Sequence, residues 1–209
     1  MSSTERDQVY KQLDPGPGGD TISRVEPTAA SLSDGTEAVV RTAGRKDAAQ
    51  LQELYEEIAA EGPLTVVAPD EVEEDCEAEA KRIESMADSQ GSLCLVAEQG
   101  GRVIGTARAE GGGLRRLAHF AEVSSVWVRR EWRELGVADA LMAALVKWAE
   151  RSERIEKLGL YVFSTSDPAV ALYRKHGFHL EGRGERDMKF EDGTYADTLI
   201  MGRFTDGGE

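Results

Sequence analysis

The chain has 209 residues, a formal net charge of −14 and two cysteines, which is enough for one domain with its own core. The acidic balance argues against a nucleic-acid partner, because contacts with a phosphate backbone need a basic face. The apolar runs are too short to span a membrane and the first residues do not resemble a signal peptide, so we expect a cytoplasmic protein without a membrane partner. Cys76 and Cys94 have no ligand-like neighbours, which predicts reduced thiols and no metal site.

Residues 1–36 are predicted to form a flexible extension, because they are rich in glycine, proline and scattered charges and poor in large apolar side chains. An alternative is that Val9, Tyr10 and Leu13 form one turn that docks on the domain or on the partner subunit of a homodimer. We take residues 37–205 as one domain and expect a disordered C-terminus over residues 206–209.

The first half of the domain predicts a strand at residues 38–42, a helix at 47–60 and a second helix at 69–87. The first helix carries an apolar stripe formed by Leu51, Leu54, Tyr55 and Ile58. The second begins with acidic residues and ends with basic ones, an order that suits the helix dipole. Two strands follow, at 93–98 and 103–109, and Gly100-Gly101 joins them as a hairpin turn.

The second half predicts a central strand, a helix, a second buried strand, a short helix and a final hairpin. The central strand covers residues 119–128. After it, Gly136 marks a turn into a helix with apolar residues at helical spacing, which are Val137, Leu141, Leu145 and Trp148. The remaining elements are a strand at 158–163, a helix from Asp167 to Gly177, and strands at 178–189 and 195–204 joined by residues 191–193.

The turn at Gly136 has the composition of an anion site. A helix N-terminus offers free backbone N–H groups, a glycine lets a ligand approach the backbone, and Arg129, Arg130 and Arg133 are nearby counter-charges. Neither a Walker loop nor a GxGxxG dinucleotide motif occurs in the sequence. These features predict a phosphate or pyrophosphate site of another type.

Two motifs in order resemble those of the GNAT N-acetyltransferase superfamily. Arg133-x-x-Gly136-x-Ala138 resembles its (Q/R)xxGx(G/A) signature, and residues 158–178 resemble LxVxxxNxxAxxLYxKxGF. The matched positions of the second motif are Leu160, Val162, Ala169, Leu172, Tyr173, Lys175, Gly177 and Phe178. The resemblance implies a mixed α/β (α+β) fold with a central sheet of about six to seven strands and helices on both faces, in the order β-α-α-β-β-β-α-β-α-β-β.

The resemblance also implies a function and a cofactor site. It implies an acetyl-CoA-dependent N-acetyltransferase in which a primary amine, most simply a small cationic one, attacks the thioester directly. A protein or peptide amine and a silent acyl-CoA-binding module are the alternatives. The residues implied in acetyl-CoA binding are Val126, Trp127, Val128, Arg133, Glu134, Leu135, Gly136, Val137, Ala138, Ser166 and Ala169. The acidic face of the 69–87 segment either attracts the amine or is a solvated helix face.

Two residues are candidates for proton transfer. An amine with a pKa of about 10.4 is mostly protonated at neutral pH and must lose a proton before it attacks. The resemblance implies that Glu122 is the base and acts through water. His119, three residues away on the same strand, is a weaker substitute. The alternative is that Glu122 faces solvent or pairs with an arginine. Tyr173 is the acid for the departing thiolate, or otherwise a packing residue. The family's oxyanion donor, a backbone N–H, falls at or next to Val128.

The sequence departs from the family pattern at three positions. Ser166 occupies the usual asparagine position, Glu134 replaces a common glycine and Arg130 replaces a common proline. The first departure removes a contact that an asparagine could make to the cofactor. The second puts a carboxylate close to the expected pyrophosphate, unless its side chain points to solvent.

Overall fold

The computed structural model describes residues 24–62, 65, 67–72, 75–190 and 192–205. These residues form an eight-stranded sheet in the order β1-β2-β3-β4-β5-β6-β8-β7. Neighbouring strands are antiparallel except for the parallel pair β5 and β6. The strands are β1 Thr28–Ser31, β2 Glu37–Thr42, β3 Leu93–Gln99, β4 Arg102–Gly111, β5 Phe120–Val128, β6 Lys157–Phe163, β7 His179–Lys189 and β8 Tyr195–Phe204. The α-helices are α1 Ala48–Ala60, α2 Cys76–Asp88, α3 Val137–Arg151 and α4 Asp167–Lys175.

Helices cover the sheet on both faces, and the strand residues alternate between two cores. In β3, Leu93 and Leu95 pack with α3 and α4, whereas Cys94 and Val96 pack with α1 and α2. Successive strand residues point to opposite faces, so a strand covered on both sides must be apolar throughout. This requirement explains the unbroken apolar run of β3. From β2 onwards, the predicted fold class and element order are confirmed.

The sheet has eight strands, whereas about six to seven were predicted. β1 lies inside residues 1–36, the predicted extension, and pairs antiparallel with β2, with Thr28 opposite Val40 and Ser31 opposite Glu37. Its sequence, TAAS, has no large apolar residue, so its pairing cannot be read from periodicity. Val9, Tyr10 and Leu13 and residues 206–209 lie outside the described residues, and the predictions made for them remain predictions.

The prediction of a single helix over residues 69–87 was wrong at its start. A short 3-10 turn spans Pro69–Glu71, Val72 is extended, and α2 begins only at Cys76. The Asp75 carboxylate accepts hydrogen bonds from the N–H groups of Glu77 and Ala78, at 2.9 and 3.1 Å. An aspartate that caps a helix in this way fixes its first turn, and this cap was hidden in a run of acidic residues.

The described residues hold two cysteines, exposed Cys76 and buried Cys94, and both are free thiols, as predicted. Within the same residues, no helix is long and apolar enough to cross a membrane. The described part of the chain also holds no group of three or more histidine, cysteine and acidic residues that could bind a metal.

Candidate active site

A cleft opens where β5 and β6 separate. The two strands pair only over Phe120–Glu122 and Lys157–Gly159, although β5 continues to Val128 and β6 to Phe163. The register between β4 and β5 shifts at Ser125, which has a positive φ of 50°. Such a bulge bends a strand, and here it accompanies the separation of β5 from β6. The separation of the two strands opens a cavity of about 1010 Å³.

The turn before α3 forms one end of this cleft. Gly136 is the N-cap of α3 with a φ of 98°, and no side chain caps the helix. No heavy atom lies within 4 Å of the point that a Cβ on Gly136 would occupy. Together with Gly136, the cleft wall here includes Glu134, Val137 and Ala138. The first N–H groups of α3 have no intrahelical partner, so the turn suits an anionic group such as a pyrophosphate.

The two residues before Gly136 differ in their environment: Leu135 packs into the core, and Glu134 has a left-handed backbone conformation. Leu135 packs against the larger core instead of lining the cleft, and its carbonyl accepts the N–H of Ser33 at 3.0 Å. The Leu135 side chain therefore belongs to the core, and the prediction that this residue binds the cofactor remains a prediction. Glu134 has a φ of 62°, a conformation that costs a residue with a Cβ about 1–2 kcal/mol. A glycine would avoid this cost, which explains why the family pattern has one there.

Of the three arginines predicted as counter-charges, Arg129 is engaged elsewhere. Arg129 is fully buried, donates from Nε to the Val103 carbonyl at 2.8 Å, and pairs with Glu57 and Glu53 of α1. A buried guanidinium held in this way cannot reach a ligand in the cleft. The assignment was wrong because it relied on closeness in sequence to Gly136, whereas the partners lie more than 70 residues away.

Arg133 lines the cleft but is also held by the protein. Its Nε donates to the Val128 carbonyl at 3.0 Å, and its two terminal nitrogens donate to the Glu61 carboxylate at 2.6 and 2.7 Å. The same arginine lowers the pKa of Glu61. Arg130 is exposed. The groups at this turn that are available to an anion are therefore mainly backbone N–H groups.

Glu122 lies in the cleft on the face of the sheet that α1 and α2 cover. It stands opposite Glu110 in the β4–β5 ladder, so both side chains share one face, and Glu110 pairs with Arg82 of α2. Partial burial raises the pKa of Glu122, and the charge of Glu110 raises it further. A carboxylate with a raised pKa is a stronger base, as its candidate role requires. His119 does not line the cleft, so nothing supports it as a substitute.

Tyr173 lines the cleft from α4, on the other face of the sheet. It is buried, its ring lies 5.9 Å from that of Phe178, and burial raises its pKa to about 12. The hydroxyl therefore stays protonated at neutral pH and can donate. It is a weaker acid than a free tyrosine, so the proton transfer to a thiolate of pKa about 8.5 is less favourable than the sequence suggested.

An ion-pair cluster fixes α4 against the first turn of α3. The Asp139 carboxylate accepts from Lys175 at 2.7 Å and from His176 Nε2 at 2.9 Å. Lys175 and, to a lesser extent, His176 lower the pKa of Asp139. The cluster links the helix that carries Tyr173 to the anion-binding turn. Sequence reasoning assigned no role to Asp139 or His176, because their contact joins two separate motifs.

The far end of the cleft carries residues that sequence reasoning did not assign to the site. Arg108 and Glu79 form a buried ion pair, and the guanidinium carbon lies 4.9 Å from the centre of the Tyr55 ring. That ring also packs edge-on against Trp127 at 4.7 Å. All four side chains line the cleft. An arginine between two alanines of a buried strand was the available signal, because such a residue is rarely buried without a partner.

The remaining predicted residues of the cofactor site also line the cleft, and these are Val126, Trp127, Val128, Ser166 and Ala169. Ser166 is the N-cap of α4, but its side chain makes no capping hydrogen bond there. The cleft thus runs from the turn before α3, between β5 and β6, to α1 and α2. It brings the backbone anion site and both proton-transfer candidates to one cavity.

Comparison with known proteins agrees with this geometry. The model of the acetyltransferase (GNAT) family matches residues 51–178. The L-amino acid N-acetyltransferase AaaT of Escherichia coli (strain K12) is 32% identical over 120 residues, which are 57% of this chain and 73% of that protein. The crystal structure of an acetyltransferase of the GNAT family from Streptococcus pneumoniae is 28% identical with a TM-score of 0.75, over 80% of this chain and 99% of the other.

A phosphinothricin acetyltransferase from Sinorhizobium meliloti, solved in complex with acetyl-CoA, has the same fold. It is 24% identical with a TM-score of 0.69, over 80% of this chain and 88% of the other. The family model covers more than half of the chain, and the Escherichia coli relative exceeds 30% identity over most of its own length. This chain therefore belongs to the GNAT acetyltransferase family.

Proposed function

We propose that this chain, an N-acetyltransferase with acetyl-CoA as its co-substrate, acetylates a small molecule whose primary amine is cationic in solution. One observation carries the proposal. A single cleft joins the uncapped N-terminus of α3 to Tyr173 on one face of the sheet and to Glu122 on the other. This arrangement offers a site for the pyrophosphate, a proton donor for the leaving group and a base for the amine in the order that direct transfer needs.

The proposed reaction begins with the acceptor amine. Glu122 accepts a proton from the ammonium group through water, and the neutral nitrogen then attacks the thioester carbonyl. The carbonyl oxygen becomes an oxyanion, and a backbone N–H of β5 near Val128 is the proposed donor to it. The C–S bond then breaks as the carbonyl re-forms, and the sulfur takes a proton from the Tyr173 hydroxyl. The nitrogen, positively charged after its attack, gives up its second proton to water as the neutral amide forms, and Tyr173 regains a proton from solvent. No covalent enzyme intermediate is needed, because the amine itself is the nucleophile.

The acceptor end of the cleft supports a small cationic amine. In addition to Glu122, its wall includes the carboxylates Glu71 and Asp75. Negative side chains around a cleft attract a cation and raise its local concentration. The relative from Escherichia coli, named an L-amino acid N-acetyltransferase, supports an amino acid as the kind of acceptor to test first.

Thiol release with acetyl-CoA tests this function. The purified chain is mixed with acetyl-CoA and with amino acids, polyamines, aminoglycosides or short peptides, and each acetylated product is identified by mass. We expect turnover with one class of small amine. Turnover with peptides alone would favour a protein-modifying enzyme. Acetyl-CoA binding without turnover on any amine would contradict the proposal and favour an acyl-CoA-binding module.

A further inference from the structure

Three polar atoms at the acceptor end of the cleft have no hydrogen-bond partner. They are the hydroxyl oxygen of Tyr55 and the Nε and Nη1 atoms of Arg108, and all three are buried. Both side chains belong to the cleft wall. Buried donors in a folded protein nearly always have partners, because an unmade hydrogen bond leaves the group desolvated without compensation. Unpaired donors beside a substrate cleft therefore point to a ligand group that pairs with them.

The contacts around Arg108 leave room for one more hydrogen-bonding partner. The Glu79 carboxylate accepts a hydrogen bond from Nη2 of Arg108, and the Tyr55 ring covers one face of the guanidinium. The Cys94 sulfur faces Arg108 as a weak hydrogen-bond acceptor, but burial raises the pKa of its thiol, so it stays neutral and supplies no anion. Burial also raises the pKa of Tyr55, which keeps its hydroxyl protonated as a donor. The three unpaired atoms thus all carry hydrogens to donate.

The position of Arg108 relative to Glu122 fits a small molecule with two functional groups. Arg108 pairs with Ser124 in the β4–β5 ladder, and Glu110 pairs with Glu122 one step further along. Arg108 and Glu110 are two residues apart on β4, so their positions are separated by about 7 Å and their side chains lie on the same face of the sheet. One end of this surface therefore presents the carboxylates of Glu110 and Glu122, and the other presents the donors of Arg108 and Tyr55.

We propose that Arg108 and Tyr55 bind the carboxylate of the acceptor, so that the substrate class is an amino acid in its zwitterionic form. A carboxylate is an acceptor-only group with two oxygens, which matches a set of donors, and guanidinium groups bind it strongly. The ammonium group of the same molecule then lies towards Glu122. The inference rests on the proposed function, because it concerns the acceptor of the same reaction.

The test compares three acceptors with the same side chain. They are the amino acid that turns over fastest, its primary amide, and the amine that lacks the carboxyl group. Rates are expressed per concentration of free amine, because the three amines differ in pKa. We expect kcat/KM of the wild-type protein to be about 10-fold or more higher for the amino acid than for the other two acceptors. This ratio corresponds to the free energy of one hydrogen bond to a charged group.

Two variants assign the preference to the proposed residues. Tyr55→Phe removes one oxygen and should raise KM for the amino acid about 10-fold while leaving KM for the simple amine unchanged. Arg108→Met combined with Glu79→Gln removes the guanidinium without leaving a buried carboxylate unpaired, and should abolish the preference. Arg102→Met is the control, because Arg102 lies on the same strand but is half exposed and outside the cleft.

The outcomes separate the two proposals. Equal use of amino acid, amide and amine by the wild-type protein would overturn the carboxylate site and leave the acetyltransferase proposal standing. A Tyr55→Phe protein that loses activity on all three acceptors equally would reduce the cluster to a structural role and overturn the inference. Absence of turnover with every amine would contradict the proposed function, and the inference with it.

Discussion

The Arg133 guanidinium donates two hydrogen bonds to the Glu61 carboxylate, at 2.6 and 2.7 Å. The arginine of the pyrophosphate motif is thereby tied to the residue that follows α1. One ion pair joins the turn before α3 to the end of α1. The first prediction concerns this pair, and the others concern the turn and the two proton-transfer candidates.

Glu61→Gln should lower the free energy of unfolding by about 1 kcal/mol or less at neutral pH, because the pair is only partly buried. Arg133 lowers the pKa of Glu61, so the stabilisation is present above the ordinary glutamate pKa of about 4.3 and is lost as pH falls through the lowered value. Urea unfolding of both proteins from pH 7 to pH 3 measures it. A stability difference that persists at pH 3 would mean that the carboxylate charge is not its source.

Glu134→Gly and Glu134→Gln separate charge from backbone strain at the turn. Both remove a carboxylate beside the anion site, so both should tighten acetyl-CoA binding about two- to fivefold. Only the glycine also relieves the positive φ, so it alone should raise the free energy of unfolding, by up to about 1 kcal/mol. Calorimetry and thermal unfolding give the two readouts. Unchanged affinity in both variants would indicate that the Glu134 side chain points away from the ligand.

Gly136→Val should weaken acetyl-CoA binding, because a branched side chain blocks the approach to the N-terminus of α3. The substitution also strains the backbone, which costs of order 1–3 kcal/mol. Gly193→Val is a matched control, because Gly193 also has a positive φ and no heavy atom within 4 Å of its missing Cβ, but lies in the β7–β8 turn. Equal affinity of the two variants for acetyl-CoA would remove the reason for placing the pyrophosphate at Gly136.

Tyr173→Phe should lower kcat by about 10²-fold, the lower end of the range for general acids, because burial makes the hydroxyl a weak acid. The packing of the ring against Phe178 is retained, so stability and acetyl-CoA affinity should change little. Tyr195→Phe is the control, since this half-exposed tyrosine lies outside the cleft. Full turnover by a folded Tyr173→Phe protein would make Tyr173 a packing residue.

Local patterns were sufficient to predict most elements and the turn at Gly136, because apolar periodicity and a glycine between a strand and a helix depend on nearby residues. Pairings between distant residues could not be read in this way. β1 was missed because its four small residues carry no apolar alternation, and the start of α2 because one aspartate among many acts as its cap.

The electrostatic partners of the site were the least predictable part. Nothing local indicates that Arg129 pairs with Glu57 or that Arg133 pairs with Glu61, 72 residues away in each case. Tyr55 was read as part of an apolar stripe, and only the packed structure brings its ring against the Arg108 guanidinium. Tyr173 could be predicted because it lies on the second family motif, and Glu122 because the resemblance implies a base at its position. Arg108 and Tyr55 lie outside the family motifs, so the sequence did not single them out.

The pH dependence of acetyl transfer by Glu122→Gln tests the central claim most directly. Thiol release and acetylated product are measured together from pH 6 to pH 9 with the best amine acceptor. The substitution retains the size of the side chain but not its basicity. We expect a large loss of kcat/KM at pH 6 that recovers in part towards pH 9, as free amine becomes abundant, with one acetylated product for each thiol released. A profile parallel to that of the wild-type protein, or thiol release without acetylated amine, would contradict it.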